Sequence, residues 1–109
     1  MTEKSKKYLS DILMAIDLIE KFTVDTTDFN SYQADLKTQS AVERQLAIIG
    51  EALNQLKKID LDLKIENAKQ IVGFRNRLVH AYDSIDNSIV WAILNRHLKK
   101  LKDEIQSLG

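Results

Sequence analysis

The stretch Leu36-Lys37-Thr38-Gln39-Ser40-Ala41-Val42-Glu43-Arg44-Gln45-Leu46-Ala47-Ile48-Ile49-Gly50-Glu51-Ala52-Leu53-Asn54-Gln55-Leu56-Lys57-Lys58-Ile59 decides the fold. Val42, Leu46, Ile49, Leu53 and Leu56 recur at alternating steps of four and three. That spacing predicts one long helix with a narrow apolar seam, the kind that packs antiparallel bundles or dimers. Gly50 interrupts it. In an exposed helix a glycine costs about 1 kcal/mol against alanine, so its presence here is read as the mark of another backbone passing close by.

The same periodicity extends in both directions. Upstream, Leu9, Ile12, Leu13, Ile16 and Ile19 predict a first helix over about residues 4–22. The polar run 23–31 offers Thr26, Thr27 and Asp28 as capping oxygens, so a break and a short helix around 28–34 are expected there. Downstream, 60–65 reads as a connection. A third helix from about Glu66 turns Ile71, Phe74 and Leu78 inward, with Val79 a further candidate. Asp83-Ser84-Ile85-Asp86-Asn87-Ser88 is rich in capping residues and predicts a turn. A last helix over about 87–107 carries Val90, Ile93, Leu94, Leu98, Leu101 and Ile105. The expected fold is all-α, an up-and-down bundle of four to five helices joined by short loops.

Composition supports this reading. The 109 residues contain no Pro and three Gly, and are rich in side chains that lose little freedom in a helix. A hydrophobic content of 44% suits a single domain over residues 1–109, able to bury roughly two thirds of its unfolded surface. Without Cys there is no disulfide, thiolate nucleophile or zinc–thiolate site, and two His make a multi-histidine metal centre improbable. No metal and no cofactor are expected. No apolar run approaches the roughly 20 residues that span a bilayer, so a cytoplasmic protein without a membrane partner is expected. Sixteen Lys plus Arg balance sixteen Asp plus Glu, so any nucleic-acid contact needs a local basic patch. Arg75, Arg77, Arg96, Lys99 and Lys100 supply one if the last two helices pack together, and a solvated charged face is the equal alternative.

Chemistry concentrates in Arg75-Asn76-Arg77-Leu78-Val79-His80-Ala81-Tyr82. Arginine supplies a permanent cation whose fork matches phosphate, and histidine can accept and donate a proton near neutrality. At about 100° per residue, Asn76 and His80 share a face, whereas Arg75 and His80 are about 140° apart. Two copies meeting across a symmetry axis would bring both pairs into one cleft. Such a cleft has the parts for metal-free RNA cleavage. One His takes the 2′-hydroxyl proton, an Arg stabilises the charged phosphorane, a protonated donor serves the leaving 5′-oxygen, and Asn76 orients the imidazole or binds phosphate.

Plainer readings stand beside this one. A His near a helix end is more often a cap or a surface residue, and Arg77 is most simply a solvated charge. His97 reads as partly buried structure and Trp91 as packing. Glu43, Arg44 and Glu51 read equally as a polar lining or as an exposed helical face.

The motif, an Arg followed by a polar residue, three more positions, His, one residue and Tyr, resembles the HEPN superfamily signature in the form carried by HepT-like toxins of HepT/MntA toxin-antitoxin systems. The resemblance covers roughly residues 8 to 106. Ala41-Val42-Glu43-Arg44 through Ile48-Ile49-Gly50-Glu51-Ala52 is similar to that family's central helix, and residues 73–82, Ile85-Asp86 and Val90-Trp91 to its C-terminal half. It departs chiefly at Ala81, where many relatives carry Gly. The resemblance implies a HEPN-like helical homodimer acting as a metal-independent endoribonuclease on tRNA or mRNA, leaving 2′,3′-cyclic phosphate and 5′-hydroxyl ends. It assigns catalysis to Arg75 and His80, with Asn76 in support. It makes Tyr82 the acceptor of adenylyl groups from a cognate MntA-like nucleotidyltransferase antitoxin, which silences the toxin. The alternative is a non-catalytic substrate-binding subunit of a minimal nucleotidyltransferase.

Overall fold

The first three helices each begin where a short polar side chain can satisfy the free amides of a first turn. Thr2 Oγ1 accepts from the Ser5 amide at 3.1 Å and starts α1, Glu3–Phe22. Asp28 accepts from the Ser31 amide at 2.8 Å and starts α2, Phe29–Ala34. Asp35 accepts from Thr38 at 3.0 Å and starts α3, Leu36–Ile59. Then come α4, Lys69–His80, α5, Asn87–Arg96, and α6, Leu98–Leu108. The computed structural model describes residues 2–81, 83 and 85–108, and the described residues form these six helices.

The core is the seam of α3. Val42, Leu46, Ile49, Leu53 and Leu56 are all buried, facing Leu9, Ile12, Ile16 and Ile19 of α1. Removing a side chain such as Leu46 would cost about 2–5 kcal/mol. α1 packs on α3 and α6, α4 lies against α3 and α5, and α2 bridges α3 and α5. Gln39, itself buried, donates from Nε2 to the carbonyls of Tyr32 at 2.8 Å and Gln33 at 2.9 Å, which fixes α2 onto α3. The Tyr32 ring is fully buried and packs on Trp91 with ring centroids 5.6 Å apart. Trp91 is thus a packing residue, as its position beside the α5 stripe implies.

Two boundaries differ from the sequence reading. The expected last helix is two, because the regular helix is interrupted at His97, whose φ of −117° is distorted from the usual helical value while its ψ of −30° stays in the helical region. His97 Nδ1 lies 3.0 Å from Asn67 Oδ1. The Asn67 amide nitrogen is already committed to Glu104 Oε1 at 2.7 Å, so Nδ1 is the protonated nitrogen. His97 is therefore the partly buried structural residue the sequence suggested. The third helix starts at Lys69 rather than Glu66, since the Glu66 and Asn67 amides donate to the Glu104 carboxylate at 2.7 and 3.1 Å.

Among the described residues no helix is long and apolar enough to cross a membrane.

Candidate functional site

On α4, Ile71 and Phe74 are buried and Leu78 is half-buried, which sets the inward direction of the helix. At about 100° per residue the opposite, solvent-facing crest then carries Gly73, Asn76 and His80, and all three are exposed. Arg75 and Arg77 fall on the two flanks, Arg75 toward α3 and Arg77 toward α5. Val79, a candidate for the core, is instead 57% exposed on the Arg75 side. Its direction on the wheel differs from that of Ile71 and Leu78 by nearly a quarter turn, which carries it past the edge of the apolar face.

Gly50 explains how Arg75 reaches its place. A Cβ at residue 50 would lie 2.5 Å from Arg75 Cβ and 3.2 Å from the Ile71 carbonyl oxygen. Only a bare backbone lets α4 come this close to α3. One residue further along α3, Glu51 Oε2 meets Arg75 Nη2 at 2.6 Å. This carboxylate oxygen is buried, and its contact lies off the ideal hydrogen-bond line, so the guanidinium charge is its compensation. Arg75 Nη1 also donates to Asn76 Oδ1 at 3.2 Å. The guanidinium is thereby held by a carboxylate on α3 and an amide on its own helix, which aims it along the α3–α4 groove rather than into solvent.

Glu51 is the functional candidate that sequence reasoning left undecided between a polar lining and an exposed face. The signal available was its position directly after Gly50, whose lack of a side chain already implied a close neighbour. Glu43, two turns earlier on α3, is half-buried beside Leu78, and burial raises its carboxyl above the ordinary range. Arg44 is exposed beside the same groove.

The structure brings Arg75 and Asn76 into contact and leaves His80 exposed in the last turn of α4, where the Ala81 amide donates to the Arg77 carbonyl at 2.8 Å. Within one chain Arg75 and His80 point in different directions, as the spacing required. Tyr82 lies outside the described residues. No group of three or more His, Cys, Asp or Glu suited to a metal ion occurs among the described residues.

Residues 12–108 match the family described as "Ribonuclease HepT-like". The chain belongs to the HepT-like family. It is 35% identical over 112 residues to a Thermococcus cleftensis protein named "Probable ribonuclease HepT", covering 99% of this chain and 98% of that one. It is 36% identical over 103 residues to a Methanocaldococcus jannaschii protein named "Putative RNase MJ1380", covering 93% of each. No solved structure gives a significant match. The all-α architecture is that of a HepT-like, HEPN-superfamily protein, and the Arg75–His80 motif lies within the matched residues.

Proposed function

We infer that this chain is an endoribonuclease, the toxin of a toxin-antitoxin pair, and that Arg75 and His80 carry its activity. The observation that carries the reading is the fixed guanidinium of Arg75 beside Glu51, on the helix whose exposed crest presents Asn76 and His80, in a HepT-like chain. His80 removes the proton from a ribose 2′-hydroxyl, and the 2′-oxygen attacks the adjacent phosphorus. Arg75 stabilises the charge of the phosphorane, assisted by Asn76. The bond from phosphorus to the 5′-oxygen breaks as that oxygen takes a proton, leaving a 2′,3′-cyclic phosphate and a 5′-hydroxyl.

One imidazole cannot serve both sides of this phosphorus at once, so the reading includes a two-fold homodimer whose second His80 is the acid. Exposed Val79 of α4 and half-buried Ile48 of α3, which line one groove with Glu51 and Arg75, offer apolar surface for the second copy. The substrate is tRNA or mRNA, the site of action is the cytoplasm, and residues 1–109 work as a single domain. Tyr82, two positions after His80, is the modification site. Its hydroxyl attacks the α-phosphate of ATP in the active site of an MntA-like nucleotidyltransferase antitoxin and pyrophosphate leaves. The resulting AMP adds bulk and negative charge beside the cleft.

Purified protein should cut RNA in the presence of EDTA, and His80→Ala and Arg75→Ala should each abolish cutting while the helical circular dichroism stays unchanged. Cleavage that survives His80→Ala overturns the catalytic assignment. An inert wild-type protein that still binds the antitoxin points to a substrate-binding subunit instead. Incubation with antitoxin and ATP should add AMP mass to Tyr82 and to no variant carrying Tyr82→Phe.

A further inference from the structure

Arg77 stands only about 60° from His80 on the helix wheel, nearer in direction than Arg75. It opens onto a groove of about 420 Å³ between α4 and α5, whose lining includes Gln70, Gly73, Ser88, Ile89 and Arg96. No carboxylate lines this groove. Neither Arg77 nor Arg96 is in an ion pair among the described residues, and both are exposed. Asp86 is close enough to feel the charge of Arg77, but its Oδ1 is engaged in capping α5 through the Ser88 amide at 2.8 Å and hydroxyl at 2.7 Å. In a chain with no net charge, two arginine forks facing one carboxylate-free groove are a local concentration of phosphate-binding groups.

The crest of α4 connects this groove to the motif. Gly73 is exposed there, and a Cβ placed on it would meet nothing within 4 Å. The side-chain-free position Gly73, one turn before Asn76 on the crest, therefore borders the groove and leaves the way to it open.

The geometry points to a second phosphate-binding subsite: the RNA strand cut at His80 continues over Gly73 into the α4–α5 groove, where Arg77 and Arg96 hold phosphates flanking the scissile one. This rests on the ribonuclease reading above, and it names the substrate's path over the surface of that same site. Phe74, Ile89, Ala92 and Ile93 form the apolar floor of the groove, and the two guanidinium forks beside Gln70 and Ser88, with no carboxylate among them, favour a phosphodiester backbone as its occupant.

The test uses the full chain carrying His80→Ala, so that substrate survives, and measures anisotropy of a short fluorescent single-stranded RNA at several salt concentrations. Adding Arg77→Gln and Arg96→Gln should weaken binding about tenfold or more at low salt. It should also flatten the slope of log affinity against log salt by about 1.4, the contribution of two single-strand phosphate contacts. Arg77→Lys with Arg96→Lys should keep the slope. Lys57→Gln with Lys58→Gln, an equal change in charge elsewhere, should leave both quantities as they were.

Binding by the Gln pair equal to that of the lysine control overturns the subsite, as does a parent protein that binds no RNA. Unchanged RNA binding combined with lost binding to polyglutamate assigns the groove to an acidic protein partner and also overturns it. Cleavage of the same RNA by wild-type protein separates the two levels. Cleavage with arginine-independent binding removes the subsite alone, whereas arginine-dependent binding without cleavage removes the ribonuclease reading and keeps the groove.

Discussion

Gly50 and Arg75 touch: the space a side chain at residue 50 would fill is occupied by Arg75 Cβ and Cγ, at 2.5 and 3.1 Å from the position of the missing carbon. Because a Cβ is fixed to its backbone, Gly50→Ala can be accommodated only by moving α4 away from α3. Overpacking of this kind costs about 1–3 kcal/mol, and the better helix propensity of alanine returns about 1 kcal/mol. We expect a net loss of stability in urea denaturation. Gly73→Ala, with open space around it, should instead stabilise by about 0.5–1 kcal/mol. Equal effects at the two glycines would contradict the close α3–α4 approach.

Glu51→Gln keeps the size of the side chain and removes the charge that holds Arg75 at 2.6 Å. The pair is partly exposed, so stability should change by no more than about 0.5–1 kcal/mol. Turnover should fall roughly tenfold with KM nearly unchanged, because the guanidinium stays present but loses its aim. Steady-state cleavage of a fluorogenic RNA separates the two parameters. A rise in KM at constant turnover would assign Glu51 to substrate binding instead.

Tyr32 carries a hydroxyl that is buried and has no hydrogen-bond partner among the described residues. Burial, with a smaller push from Glu43, drives its ionisation far above the ordinary phenol range, so it stays neutral at every working pH. Tyr32→Phe removes an unsatisfied polar atom and keeps the ring on Trp91. It should be neutral or stabilising by about 1 kcal/mol, read as an unchanged or raised melting temperature. A clear loss of stability would mean that the hydroxyl has a bonded partner after all.

Glu104 should make the fold acid-sensitive. Burial raises its carboxyl pKa, but the hydrogen bonds from the Asn67 side chain and the Glu66 and Asn67 amides outweigh this and hold it below 4.5. A depressed carboxylate contributes stability that is present above its unfolded value and lost as pH falls through its folded value. Glu104→Gln should therefore lower the melting temperature near neutral pH, with the gap to wild type closing as pH falls below 4.5 and through the lowered value of the folded carboxyl. A gap independent of pH would mean that the carboxylate's charge is not what holds the 66–67 segment.

The bundle was legible wherever burial followed a local repeat. Residues 36–59 carry their seam at strict four and three steps and form α3 as expected. Gly50 announced a close approach, and the approaching side chain is Arg75. His97 could not be seen as a break, because the apolar stripe from Val90 to Ile105 runs straight through it. Its partner Asn67 lies 30 residues away. For the same reason Glu66 was assigned to α4, when its amide is taken by a carboxylate 38 residues further on. In the site, the motif displayed its own chemistry, but the role of Glu51 depends on which helix lies opposite, and a linear pattern does not contain that information.

The start of α4 is held from the last helix of the chain. Its start has no side-chain cap of its own, yet the segment before it is clamped by Glu104 from α6. Its far end, past Leu78, consists of exposed Val79 and His80. Backbone amides of Ile71 to Phe74, next to that clamp, should therefore exchange with deuterium sooner in Glu104→Gln than in wild type. A carboxylate of the last helix thus bears on the helix that presents Arg75 and His80 without touching either residue, so the bundle's final helix and its motif are mechanically joined across 24 positions of sequence from His80 to Glu104.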